Sequence, residues 1–447
     1  MRRAPVACLL RGLVVIAALV AAGALRPACA APTSIRDTEI ENDLRTMAAP
    51  IFRAAGLEPN DVGIYLIQDS QLNSFVAGGQ AIFIHTGLIL RAETPNQLIG
   101  VIAHETGHIA GGHILRAKEA MHNAGIQNII AMVVGAAASA LGRSGAPMLG
   151  AAGVGERSFL QFSIAQEATA DHAALNFLDR SCQSARGLLQ FFEILQSNEI
   201  LSGAHAEAWE RTHPLTAQRI EYLRDHVQHA RCSDTPDSPV SVETFRRIKM
   251  KLHAFLDPPS TTLAAYPESN NSVLARYARA IAYYRIPDLA RALPAIDGLI
   301  RDFPKDPYYR ELKGQMLFEN GRIHDAMPPY EDAVRLAPNA ALLRMSLSQV
   351  YIETGDQGLN KRAIAYLNDA SRAEGRDSQV WHFLAVAYGR DNQLGMAALS
   401  LAEEALANGR KKDAIQQSNR AKQLLVRNTG SYARAEDIHR EAESLDN

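Results

Sequence analysis

The sequence predicts a mainly α chain of the α+β type: a helical domain holding a small β-sheet, then a C-terminal α-solenoid. Three observations carry that expectation. His104-Glu105-Thr106-Gly107-His108 ends an apolar run, Leu98 to Ala103, that reads as a buried helix. Short β-type stretches with turn residues between them precede that helix. In the last third, Gly321, Gly355 and Gly389 recur every 34 residues, as do Pro304 and Pro338.

A chain of 447 residues exceeds what one core accommodates, so two domains are expected. The composition is globular, with 47% hydrophobic and 21% charged residues, and a net charge of −2 argues against a nucleic-acid partner. Residues 1–30 read as a cleaved signal peptide, with Arg2, Arg3 and Arg11, an apolar stretch from Leu13 to Leu25, and Ala28-Cys29-Ala30 at the cleavage site. Its loss takes four arginines and leaves a charge of −6. The apolar stretch is short for an uncleaved anchor, and export is the reading. Cys182 and Cys232 then remain, and an oxidising compartment allows one bridge between them without requiring it.

In chain order, Ile40, Leu44, Met47 and Ile51 mark an amphipathic helix from Ile35 to Ala55, stopped by Gly56. Val62 to Ile67 reads as a strand, and Asn73 to Ile84 as two strands broken by Gly78-Gly79. Such a pair before the motif helix is either a plain hairpin or an edge that holds an extended substrate, with Asn73, Phe75, Gly78 and Gly79 at that edge. Thr94-Pro95-Asn96-Gln97 has the cap, first-turn proline and capping-box glutamine of a helix start, and the helix is expected to reach about Asn123. Residues 126–155 are apolar and rich in small residues. A buried helix with a loop is favoured there over a membrane span, and a mobile cover or peripheral membrane contact is the third reading.

Positions i and i+4 share a helix face, so His104 and His108 bring two imidazoles to one metal ion. Zinc takes three protein ligands and an open position at a catalytic site, and Glu105 is placed to act as general base there. Glu167, on a helix with Asp171 four residues on, fits as third ligand, and Asp171 as the carboxylate orienting a histidine. His113 competes for that role, yet it falls one residue short of the spacing that would favour it. His213, before Pro214, either stabilises an oxyanion or fills the open position and silences the site.

Asn73…Phe75…Gly78-Gly79, His104 to His108, Glu167 to Asp171, and Thr212-His213-Pro214 with Arg219 together resemble the HtpX-like gluzincin peptidases. The resemblance implies a zincin-type domain binding one zinc ion through His104, His108 and Glu167. Glu105 would be the base, Asp171 would support a ligand histidine, and His213 would lie near the metal. Gly321, Ala326, Tyr330, Ala333 and Pro338, then Trp381, Leu384, Ala385 and Tyr388, fall on the tetratricopeptide pattern, with a short insertion near Gln357 to Asn360. The expected domains are 1–30 (signal), 31–255 (peptidase) and 256–447 (repeats). Signal, soluble peptidase and repeats resemble the branch of this family that works in the bacterial periplasm on outer-membrane β-barrels. That implies degradation of misassembled outer-membrane proteins and recruitment to the barrel-assembly machinery through the repeats. The rival is a chaperone or scaffold in which the repeats act and the zinc site is latent or structural.

Overall fold

The computed structural model describes residues 33–113, 116, 154–202, 209 and 212–445. The expected signal peptide and nearly all of the 126–155 segment lie outside them. Among the described residues no helix is long and apolar enough to cross a membrane.

Strand β1 (Thr33–Ile35) leads into α1 (Thr38–Ala54). The Asp37 side chain accepts from the Ile40 amide, so the helix begins there and Ile35 lies in a strand instead. Strands β2 (Gly63–Gln68), β3 (Ser74–Ala77) and β4 (Ala81–His85) complete a sheet ordered β1-β2-β4-β3. β2 and β4 run parallel, while β1 and β3 are antiparallel to their neighbours. Ile64, Leu66, Ile82 and Ile84 enter the main core with Leu44, Met47 and Ile51 of α1. On the other face Tyr65, Phe83 and Phe75 stack at 5.2 Å between ring centroids.

After α2 (Thr86–Arg91) comes the motif helix α3 (Pro95–Ala110). Thr94 Oγ1 accepts from the Gln97 amide as expected of the cap, while Gln97 Oε1 reaches back one residue further than a capping box and accepts from the Glu93 amide. The helix does not run on to Asn123. It stops at Gly111, and Gly112 takes φ +61°, a left-handed turn that glycine adopts without strain. Helices α4 (Val154–Ser181) and α5 (Arg186–Ser202) pack on α3, and α6 (Ala217–His229) packs on α4 and α5. A Cβ on Gly107 would stand 2.6 Å from the Ala170 carbonyl oxygen, so α3 and α4 cross at a distance only glycine permits. Cys182 and Cys232 are bridged, tying the end of α4 to the segment after α6.

Helix α7 (Pro239–Leu256) serves two cores: Phe245, Ile248 and Leu252 face the first, Met250 and Ala254 the next. Beyond α8 (Pro259–Ala265) lie five helix pairs: α9–α10 (Val273–Arg285, Leu289–Asp302), α11–α12 (Pro307–Glu319, Ile323–Leu336), α13–α14 (Ala341–Glu353, Gln357–Ala373), α15–α16 (Ser378–Arg390, Leu394–Ala407) and α17–α18 (Lys411–Leu424, Gly430–Glu443). Gly321 and Gly355, both at φ +74°, form the turns within the second and third pairs. Gly389 is not their equivalent. It lies inside α15, and Asn392 at φ +57° holds the corresponding turn. The cause is α14, which has 17 residues where α12 has 14, so the period slips after the insertion.

The two parts meet through buried charge. Lys251 bonds Asp37 and Glu39 at 2.8 Å, Arg247 reaches Glu39 and Asp306, and the Tyr277 hydroxyl donates to Glu39 at 2.8 Å. The nearby Glu311 carboxyl, accepting from Thr38 Oγ1, is pushed up to about 8 by burial against the pull of Lys251. A carboxyl raised in the folded state stabilises below its ordinary value of 4.5, and that contribution is lost as pH rises towards 8. Glu311→Gln should therefore raise stability at pH 8 by about 1–2 kcal/mol, discounted for partial exposure, and change little at pH 4.5 or below. Denaturant unfolding at the two pH values checks it.

Candidate metal centre

The close crossing at Gly107 sets Glu167 and Asp171 of α4 against the two motif histidines of α3. His104 and His108 approach each other to 3.1 Å between Nε2 atoms. Glu167 lies 3.3 Å from each through its two oxygens. His213, from the segment before α6, brings Nδ1 to 3.1 Å from both Glu167 oxygens and 3.4 Å from His104 Nε2. These four side chains are buried, and their donor atoms lie within 4.8 Å of one another. A tetrahedron of ligands about 2.0–2.1 Å from zinc has edges of roughly 3.3–3.4 Å, and the spacings among these donor atoms, 3.1–3.4 Å, are close to that size.

The tautomers follow from the outer partners. His104 Nδ1 is 2.9 Å from Asp171 Oδ1, so that nitrogen donates and Nε2 presents its lone pair inward. Arg219 fixes Asp171 in turn through Nε at 2.6 Å and Nη2 at 2.9 Å, and also reaches Glu167 at 3.1 Å. His113 is not in the cluster. Its Nδ1 lies 2.9 Å from Nδ1 of His108, where the turn at Gly112 returns the chain to support that ring from behind. His213 Nε2 is 3.1 Å from the Ser74 carbonyl oxygen and donates to it, which leaves the Nδ1 lone pair facing Glu167 and His104.

Charge points the same way. Glu105, Glu167 and Asp171 are buried with one buried guanidinium, Arg219. With every histidine neutral, as metal ligation requires, the site is two positive charges short, the value of a divalent cation. The strain shows in the titration of the side chains: burial opposes charge on His104, yet hydrogen bonds to Asp171 and Glu167 raise it to about 9. Glu167 is held well below the usual carboxylate range, burial notwithstanding, by His213 and His108. Burial pushes His113 down to about 4.

Ser74 carries a contact that sequence reasoning missed. Its hydroxyl donates to Glu105 Oε1 at 2.6 Å, both residues fully buried, while Glu105 Oε2 has no partner among the described residues. One oxygen of the base is pinned and the other is free. Nothing in the local sequence announces this, because Ser74 and Glu105 meet only when β3 lies across α3. The residues expected at the substrate edge are in place on β3 and its turn, with different tasks. Asn73 accepts from the Thr212 hydroxyl at 3.2 Å, Phe75 packs on Phe83 away from the cluster, and Gly78 and Gly79 adopt φ +61° and +99° in the β3–β4 turn.

Asp171→Ala should weaken metal binding by about 10–100-fold, since it frees the His104 ring and leaves Arg219 without its main partner. Competition with a chromogenic chelator measures that loss. Ser74→Ala leaves Glu105 Oε1 buried without a donor, and equilibrium unfolding should show a cost of about 1–3 kcal/mol.

Comparison with known proteins agrees with this geometry. Residues 34–227 match the model of peptidase family M48, and residues 277–341 match a tetratricopeptide-repeat model. The chain is 24% identical over 364 residues to the beta-barrel assembly-enhancing protease of Escherichia coli strain K12, covering 78% of this chain and 72% of that one. The protein of the same name from Yersinia pestis is 22% identical over 358 residues, 76% of this chain and 71% of its own. Metalloprotease LoiP of E. coli K12 is 29% identical over 192 residues, 43% of this chain and 72% of that protein. The chain is a metallopeptidase, carrying a family M48 peptidase domain followed by tetratricopeptide repeats.

Proposed function

We propose that the chain is a periplasmic zinc-dependent endopeptidase that degrades misassembled outer-membrane proteins and assists their assembly, with the repeats recruiting client or barrel-assembly machinery. The observation that carries the enzymatic part is the buried His104–His108–Glu167 cluster with Glu105 beside it, one carboxylate oxygen held by Ser74 and the other free. The client class rests on the names of the relatives and on the repeats as a protein-binding surface. Export rests on the composition of residues 1–30.

His104, His108 and Glu167 would hold the ion. A bound zinc ion supplies a Lewis acid that polarises a peptide carbonyl and lowers the pKa of water. The rest belongs to the chain. Glu105 Oε2 takes the proton released as water adds to the carbonyl and hands it to the leaving amine, while Ser74 keeps the carboxylate from rotating. Among the described residues β3 pairs only with β4, so the other side of its backbone suits an extended client strand beside Glu105. Asp171 and Arg219 keep His104 in one tautomer and orientation.

A second reading concerns regulation. His213 Nδ1 stands where a fourth ligand would, which favours a resting state in which this ring closes the position water needs. His213→Ala should then increase cleavage of a short peptide several-fold, whereas an oxyanion role predicts a fall. The test of the main reading compares wild type with Glu105→Gln on an unfolded outer-membrane barrel, with and without chelator. Fragments that disappear in both the variant and the chelated sample are expected, with the metal retained by Glu105→Gln. Undiminished cleavage by that variant would remove Glu105 as the base, and stable client binding without any fragments would favour the scaffold reading.

A further inference from the structure

A cleft of about 690 Å³ opens where the end of the sheet meets the repeats. Its walls are α1, the start of β2, Gln80 beside the β3–β4 turn, and two repeat turns, Asn339–Leu342 and Arg372–Arg376. Two carboxylates on the walls, Glu41 and Glu374, are already used. Arg36 binds them at 2.9 and 2.8 Å and reaches Asp377 as well, clamping the repeat turn to the end of β1. That leaves Asp61, which is exposed, against cations that lack carboxylate partners. Among the described residues Arg45 makes no ion pair. It donates to Asn42 Oδ1 at 3.0 Å, and its Nε is buried with no partner. Arg376 likewise makes no ion pair among the described residues, and its guanidinium lies over the Gly78-Gly79 turn, 2.6 Å from where a Gly78 Cβ would stand.

Arg376 links the cleft to the proposed substrate edge, because it lines the one and lies over the glycine turn that ends the other. β3 begins at Ser74, whose carbonyl faces His213 and whose hydroxyl holds Glu105, and ends at Ala77 next to Gly78. At about 3.3 Å per residue, a strand laid along β3 travels roughly 10 Å from the reacting bond to the guanidinium of Arg376. The next few residues of that chain would enter the cleft. We infer that this cleft is a specificity subsite for client segments carrying a carboxylate side chain three or more residues from the cleaved bond, read by Arg376 and Arg45. Resting on the edge-strand reading above, the subsite gives the repeats a direct part in substrate choice, because Arg376 belongs to the turn between α14 and α15. Guanidinium–carboxylate hydrogen bonds are charge-assisted, and in a partly enclosed cleft they discriminate an acid from its amide.

The test uses the full chain with Glu105→Gln, so that binding is read without cleavage. Two fluorescent peptides of about ten residues, identical and apolar except for a terminal pair of glutamates or glutamines, are titrated by anisotropy. The glutamate peptide should bind roughly five- to tenfold more tightly. R45Q and R376Q together, in a protein of unchanged melting temperature, should erase that preference while leaving affinity for the glutamine peptide as it was. Equal affinities, a preference that survives both substitutions, or no binding of either peptide overturns the subsite. Cleavage of the glutamine peptide by wild type is scored separately. If it occurs, the peptidase reading stands even where the subsite fails.

Discussion

The structure depends on how closely α3 can approach α4. Gly107 is the enabling residue: any side chain there would collide with the backbone at Ala170. Push the helices apart by the width of a methyl group and Glu167 no longer reaches His104 and His108, nor Asp171 the far nitrogen of His104. The contact also explains why the core around it is apolar. Leu98, Ile99, Val101 and Ile102 on one helix and Ala174, Leu175 and Leu178 on the other belong to one buried core around the crossing, which holds the two donor pairs in register.

That register concentrates three buried carboxylates, which a folded domain tolerates only if compensating charge is built in. Arg219 supplies one charge and orients Asp171. The imidazoles are arranged to present lone pairs towards the remainder. The outer ring of Asp171, Arg219 and His113 therefore does more than pack: it decides which nitrogen of each motif histidine faces inward. Ser74 extends the same logic to the base and links it to β3, so the element suited to hold a client also holds the group that moves the proton.

Much of this was legible in the sequence, for reasons of period. The spacing of four in His104–His108 and Glu167–Asp171, the alternation in β2, and the cap at Thr94 are local rules, and the structure follows them. What stayed hidden depends on contacts between distant segments. Ser74 meets Glu105 across 31 positions, and Arg219 meets Asp171 across 48. The Cys182–Cys232 bridge could be allowed but not assigned, because pairing depends on Cα separation, 5.2 Å here. His113 looked like a rival ligand because its spacing from His104 falls only one residue short of a ligand run; the turn at Gly111-Gly112 instead ends α3 and folds the ring behind His108. Gly389 fell on the repeat period by coincidence. Three extra residues in α14 had already shifted the frame, and Asn392 took over the turn.

We propose that the missing positive charge is a zinc ion held by His104, His108 and Glu167. Calorimetric titration of zinc into metal-stripped protein tests it most directly, with His108→Ala and Glu167→Ala alongside. One tight site per chain is expected in the wild type and its loss in both variants, with the fold retained. Tight binding that survives both substitutions, or no binding by the wild type, would contradict it.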